Sequence, residues 1–97
     1  MLGKLKQIQE LKSQADQLKT ALAEERIEGT GANGKIKIIM DGNQDVKQVE
    51  IDPEILANQE LVQTGIKDAI NNAIKKVQRV MAQKMSQMGG LNLPGLQ

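Results

Sequence analysis

Residues 31–53 read GANGKIKIIMDGNQDVKQVEIDP. Asn33-Gly34 is the strongest short hairpin signal in the chain, because both central residues of a two-residue turn need positive φ. After it, Lys35 to Met40 alternates as a strand. Ile36, Ile38 and Met40 point to one face, and Lys35, Lys37 and Ile39 to the other. Asp41-Gly42-Asn43-Gln44-Asp45 is a second turn-forming stretch. Val46 to Ile51 then reads as a further strand, with Lys47, Val49 and Ile51 on one side. On the N-terminal side, Arg26 to Thr30 supplies the first strand. Three antiparallel strands in a meander are expected. Asp52-Pro53-Glu54 closes the sheet and opens a helical turn over Pro53 to Ala57, since Asp suits an N-cap and Pro the first helical position.

Helical periodicity flanks this block. From Leu2 to Ala23, apolar residues fall at Leu5, Ile8, Leu11, Ala15, Leu18 and Leu22, in steps of three and four. That is roughly two heptads, too short to hold a coiled coil alone. The stripe must therefore pack on something else. A longer helix is expected over Gln59 to Gln87, with a stripe of Val62, Ile66, Ile70, Ala73, Ile74, Val77, Met81, Met85 and Met88. Gly65 weakens it by about 1 kcal/mol relative to Ala. Residues 89–97, GGLNLPGLQ, have no period and read as a flexible tail. The fold class is α+β, an α-β-β-β-α chain forming one domain over residues 1–88.

Composition removes most catalytic chemistry. The 97 residues include no Cys, no His and no Phe, Tyr or Trp. Thiolate nucleophiles, disulfides and sulfur-ligated metals are absent, and so is any imidazole base. Without aromatic side chains there is no platform on which single-stranded bases could stack. Asp41-x-Asn43-x-Asp45 imitates part of a calcium loop, but Val46 stands where that loop needs Gly. Glu50 and Asp52 have no partners that would complete a catalytic site. The GTGANG stretch lacks the spacing and Lys of a phosphate loop. No enzyme activity, metal, cofactor or small-molecule substrate is expected. No apolar run approaches a membrane span, and MLGKLKQIQE is too densely charged for a secretory signal. A cytoplasmic protein is expected.

Charge is unevenly placed, although the net is only +1. Residues 1–23 carry four Lys against Glu10 and Asp16, and residues 35–60 carry three Lys against six acids. Residues 61–97 carry Lys67, Lys75, Lys76, Arg79 and Lys84 against Asp68 alone. The helices are basic and the sheet acidic. At about 100° per residue, Lys75, Lys76 and Arg79 cluster on the side away from Ile66, Ile70 and Val77. Lys84 falls close to the apolar stripe, so it must snorkel or lie where the helix leaves the core.

Several stretches occur in a telling order. Glu28-Gly29-Thr30-Gly31, Asn33-Gly34, the strand to Met40, Gly42 and Val49-Glu50-Ile51-Asp52-Pro53 are followed by Ile70-Asn71-Asn72-Ala73 and a Leu93-Pro94-Gly95 tail. Together they resemble the YbaB/EbfC family of bacterial nucleoid-associated proteins over essentially the whole chain. One departure is Asn71-Asn72-Ala73, where the family often has Asn-Asp-Ala. The resemblance implies a homodimer that shares its sheets and helices, projects helical arms and binds duplex DNA with little sequence preference in the nucleoid. It also implies roles in nucleoid organisation, DNA protection and gene regulation. Phosphate contacts that release counterions suit the cations found here, whereas base readout by a single nearby Arg would be thin. The expected DNA-binding residues are Lys75, Lys76 and Arg79, supported by Lys6, Lys12, Lys19 and Lys84. The expected dimer interface uses Ile36, Ile38, Ile39, Leu11, Leu18, Ile70, Val77 and Met81. A protein-binding adaptor that presents its amphipathic helices to partner helices is the alternative.

Overall fold

The structure is a computed structural model that describes residues 2–87. Met88 and the expected tail over 89–97 lie outside the described residues. The order is α1 (Leu2–Ala23), β1 (Ile27–Gly31), β2 (Ile36–Met40), β3 (Val46–Ile51) and α2 (Gln59–Gln87). Single 3-10 turns sit at Ala32–Gly34 and Pro53–Ile55. The sheet order is β1-β2-β3, antiparallel throughout. Asp52 caps the second turn by accepting from the Glu54 amide at 2.9 Å, with Pro53 beginning it.

The β1–β2 connection is longer than a two-residue hairpin. Ala32, Asn33 and Gly34 all have positive φ, at 52°, 56° and 86°. Strand β2 consequently starts at Ile36 rather than Lys35. The β2 alternation is otherwise as the sequence suggests, with Ile36, Ile38 and Met40 buried.

On β3 the strict period-2 reading fails. Ile39 pairs with Gln48, but Met40 pairs with Val46, so Lys47 is the extra residue of a β-bulge. Val46 therefore joins Val49 and Ile51 on the face of Ile36 and Ile38. The freed Lys47 turns back to place its Nζ 3.6 Å from the Asp41 carboxylate.

Helix α2 packs on β1 and β2 through one flank of the expected stripe, with Ala73 and Val77 belonging to that stripe and Gly65 and Ala69 lying beside it. Its buried residues are Gly65, Ala69, Ala73 and Val77, spaced by four. This line is rotated by about 60° from the centre of the larger apolar stripe, at about 100° per residue. Opposite it stand Gly29 and Gly31, both buried. A Cβ on Gly29 would meet the Ala69 carbonyl oxygen and come within 2.6 Å of the Ala73 Cβ. A Cβ on Gly31 would collide with the Gly65 carbonyl. Gly65 in turn leaves room for Ala32 and the Ile36 side chain. The helix-weakening glycine is thus what lets the turn and strand approach the helix.

This packing uses residues expected at a dimer seam. Ile36, Ile38 and Val77 are 0%, 1% and 0% exposed within one protomer. The core between sheet and α2 already covers them. Ile70 and Met81 are half-buried beside that core, and Ile39 is half-buried on the opposite sheet face.

Asp41 is the one buried charged residue among those described, at 1% exposed. Its Oδ1 accepts from the Asn43 and Asp45 amides at 2.8 and 3.1 Å, so the calcium-like spacing serves a self-bonded turn. Burial raises the carboxyl pKa, but the Asp45 and Asn43 amides and the Lys47 ammonium outweigh it, and the net value lies below that of an ordinary Asp.

The tight packing and the buried turn can each be tested by unfolding. Gly29→Ala should destabilise the protein by about 1–3 kcal/mol, because backbone must move to admit the methyl group. Gly3→Ala, with nothing within 4 Å, should be neutral or stabilising by up to about 1 kcal/mol; urea unfolding at fixed protein concentration measures both. The ionised Asp41 is favoured by folding, so its contribution is present above the ordinary Asp pKa of about 3.9 and is lost as pH falls through the lower folded value. The stability gap between wild type and Asp41→Asn should therefore be largest near neutrality and shrink between about pH 5 and pH 2.

Candidate nucleic-acid interface

Helix α1 is an arm held at one end. Among its described side chains only Leu22 is buried, whereas Leu5, Ile8 and Leu11 are 60%, 61% and 52% exposed. At about 1.5 Å per residue, its 22 residues reach about 33 Å. The molecule is 63 Å long but only 23 and 18 Å across.

The anchored end is well bonded. Gly42 N donates to Leu22 O at 2.7 Å, Asn43 Nδ2 to Lys19 O at 3.0 Å and Arg26 Nη1 to Ala23 O at 3.1 Å. Carbonyls that the last turn of a helix leaves unpaired are satisfied in this way. Helix α2 leaves the sheet at the same end, where Lys84 pairs with Glu25 at 3.1 Å.

Cations fall into two sets. The sheet lysines are all paired. Lys37 lies 3.1 Å from Glu28 and 3.9 Å from Glu50, and Lys35 lies 2.6 Å from Glu54 and 3.9 Å from Asp52. Hydrogen bonding to Glu54 raises the Lys35 pKa, and hydrogen bonding to Glu28 raises that of Lys37. On the helices, Lys6, Lys12, Lys19, Lys75 and Arg79 are exposed and form no ion pair among the described residues. Lys4, absent from the sequence-based set, is exposed on the same arm.

The rotation of α2 separates Lys76 from its neighbours. Its Nζ donates to the Glu28 carbonyl at 2.8 Å, while Asn72 Oδ1 accepts from the Thr30 amide at 3.1 Å. Both bonds satisfy the outer edge of β1, which β2 does not pair, and so blunt a free strand edge. Lys84 is half-buried in its pair with Glu25. The free α2 cations of the expected set are thus Lys75 and Arg79. No sequence signal marks Asn72 for this task, because its register against β1 depends on the small-residue face. The four-residue spacing of Gly65, Ala69 and Ala73 is the signal that could reveal that face.

Among the described residues no group of acidic side chains could hold a metal ion. No helix there is long and apolar enough to cross a membrane. Among the described residues the large apolar side chains left exposed are Leu5, Ile8 and Leu11 on α1, Leu56 and Leu61 around the start of α2, and, on the α2 side of the sheet, Val46 and Val49, each 50% exposed. Leu18 is half-buried.

Residues 1–91 match the YbaB/EbfC DNA-binding family. A nucleoid-associated protein of Pelotomaculum thermopropionicum is 33% identical over 95 residues, covering 95% of this chain and 90% of that protein. One from Hahella chejuensis is 36% identical over 92 residues, covering 93% and 85%. The crystal structure of the uncharacterized protein HP0035 from Helicobacter pylori superposes with a TM-score of 0.75 at 21% identity, covering 92% of this chain and 94% of that one. That likeness establishes a shared fold. By its sequence over nearly its whole length, this chain belongs to the YbaB/EbfC DNA-binding family.

Proposed function

We propose that the chain is a non-enzymatic nucleoid-associated protein of the bacterial cytoplasm that binds duplex DNA as a homodimer, mainly through phosphates. The observation that carries this reading is the sorting of cations. Every sheet lysine is engaged by a carboxylate, whereas Lys6, Lys12, Lys19, Lys75 and Arg79 stand exposed and unpaired on the helices among the described residues. A cation already paired gains little from a phosphate, while a solvated one releases condensed counterions when it docks. With Arg79 the one arginine in the set, direct base recognition is weak, and any preference arises from DNA shape. Binding of this kind affects DNA conformation, nucleoid organisation, DNA protection and gene expression without chemistry.

A second copy of the chain is the proposed cover for the remaining apolar surface. Helix α2 lies over β1 and β2, leaving Val46 and Val49 on β3 without a partner. Ile70, Met81, Leu11, Leu18 and Ile39 offer further apolar area outside the protomer core. Burial of such surface in a partner is the remedy available to a small chain. Pairing also doubles the number of cations presented to one duplex.

Mobility-shift titrations over a salt series test the phosphate reading. Affinity should fall steeply as salt rises, and Lys75→Ala or Arg79→Ala should weaken binding about equally on unrelated sequences. Each should also lower the salt slope by about one for every phosphate that is no longer neutralised. Lys35→Ala and Lys37→Ala should leave the slope unchanged. Salt-independent binding, or a loss confined to one sequence, would contradict the reading. Mass measurement should give twice the 10.6 kDa chain, and Val49→Asp should shift it toward one copy.

A further inference from the structure

We infer that the β2–β3 turn, Asp41 to Asp45, is the positioning element that sets the direction of the α1 arm and so decides where Lys6, Lys12 and Lys19 meet DNA. The inference rests on the phosphate reading, but its structural part stands on separate observations.

Along its described length α1 buries a single side chain, Leu22, at 3% exposed. Leu5, Ile8 and Leu11 are exposed, and α1 meets α2 with Leu18 and Ala21 half-buried, so packing along its sides does not reach the outer half of the arm. Its pose must come from its attached end. There, two bonds reach α1 from the same turn: Gly42 N to Leu22 O, and Asn43 Nδ2 to Lys19 O. The two acceptors are three residues apart, nearly one helical turn, so the bonds resist tilting as well as sliding. Close packing adds a third constraint. A Cβ on Gly42 would lie 2.7 Å from Leu22 Cδ2 and 2.9 Å from both Leu22 Cβ and Leu22 O.

Asp41 makes the turn rigid enough for this task. Its side chain holds the Asn43 and Asp45 amides, its own amide donates to Asp45 O at 2.9 Å, and Gln44 N donates to Asp41 O at 3.1 Å. Gln44 is held at a φ of 67°, a left-handed conformation that a non-glycine residue adopts at a cost. The bulged Lys47 closes the assembly from β3. Asp41 does not face the proposed DNA surface. It acts through Gly42 and Asn43, and is a positioning residue.

Gly42→Ala tests the inference without changing charge. Gly42 is not among the residues with positive φ, so alanine fits the backbone and the new methyl group acts on Leu22. The natural chain has no Cys, so spin labels can be placed at Ser13→Cys and Gln63→Cys. Dilution with unlabelled protein isolates the distance within one protomer. Gly42→Ala should shift or broaden that distance distribution. It should also weaken DNA binding several-fold and lower the salt slope toward that of a Lys4→Ala, Lys6→Ala, Lys12→Ala, Lys19→Ala variant. Added to that quadruple variant, it should cause no further loss, because the lysines it misplaces are already gone. If Gly42→Ala fails to fold, Asn43→Ala, which removes only the bond to Lys19 O, should produce the same changes more weakly. An unmoved arm in a folded variant overturns the inference, as does a moved arm with unchanged affinity and slope. Absence of DNA binding by the unaltered chain at low salt removes the phosphate reading instead, and leaves the distance measurement as the test of the anchor.

Discussion

Helix α2 lies against β1 at a distance that leaves no room for a side chain at Gly29 or Gly31, and room for little more than a methyl group on the facing turns of α2. Gly29 and Gly31 face Gly65, Ala69 and Ala73, and backbone meets backbone. Such closeness favours dispersion and leaves almost no freedom in the helix's rotation. That rotation distributes the remaining side chains. It brings Asn72 and Lys76 to the unpaired edge of β1, and leaves Lys75 and Arg79 facing solvent. It seats Val77 in the core and Ile70 at its margin. It also leaves β3 uncovered, with Val46 and Val49 each half exposed.

The second organising feature is electrostatic. The outer sheet face neutralises itself, with Glu28, Lys37 and Glu50 in one cluster and Lys35, Asp52 and Glu54 in another. Exposed pairs of this kind contribute little stability. Their consequence, together with the Lys47–Asp41 pair, is to take Lys35, Lys37 and Lys47 out of competition for an external anion. Net charge of +1 thus understates the positive potential around the helices, because screening limits the reach of the acidic sheet to about 10 Å.

Much of this architecture is legible in the sequence. Asn33-Gly34, the Ile36-Ile38-Met40 alternation and Asp52-Pro53 locate the meander and its exit to within a residue or so. Helices α1 and α2 follow from periodicity. Three features do not, or only in part. The bulge at Lys47 inverts part of β3, and period-2 reading has no means of detecting one extra residue. The packed face of α2 is read only in part, through Ala73 and Val77, because large apolar residues dominate a hydrophobic stripe and Gly65 and Ala69 do not register in it. Ile36 and Ile38 then look available for a dimer seam, although the sheet needs them under α2. For the candidate site, the basic character of the helices is readable. The engagement of Lys76 and Lys84 is not, because it depends on how α2 is rotated and on where α1 ends.

The proposed complex therefore depends on which lysines are free, and amine accessibility reports that directly. Reductive methylation of the protein, with and without duplex DNA at low salt, followed by mass spectrometry, would give the protection of each lysine. The account predicts that DNA shields Lys6, Lys12, Lys19 and Lys75 while Lys35, Lys37 and Lys47 react as they do in free protein. Protection concentrated on the sheet lysines, or none on the helices under conditions where DNA is bound, would contradict it.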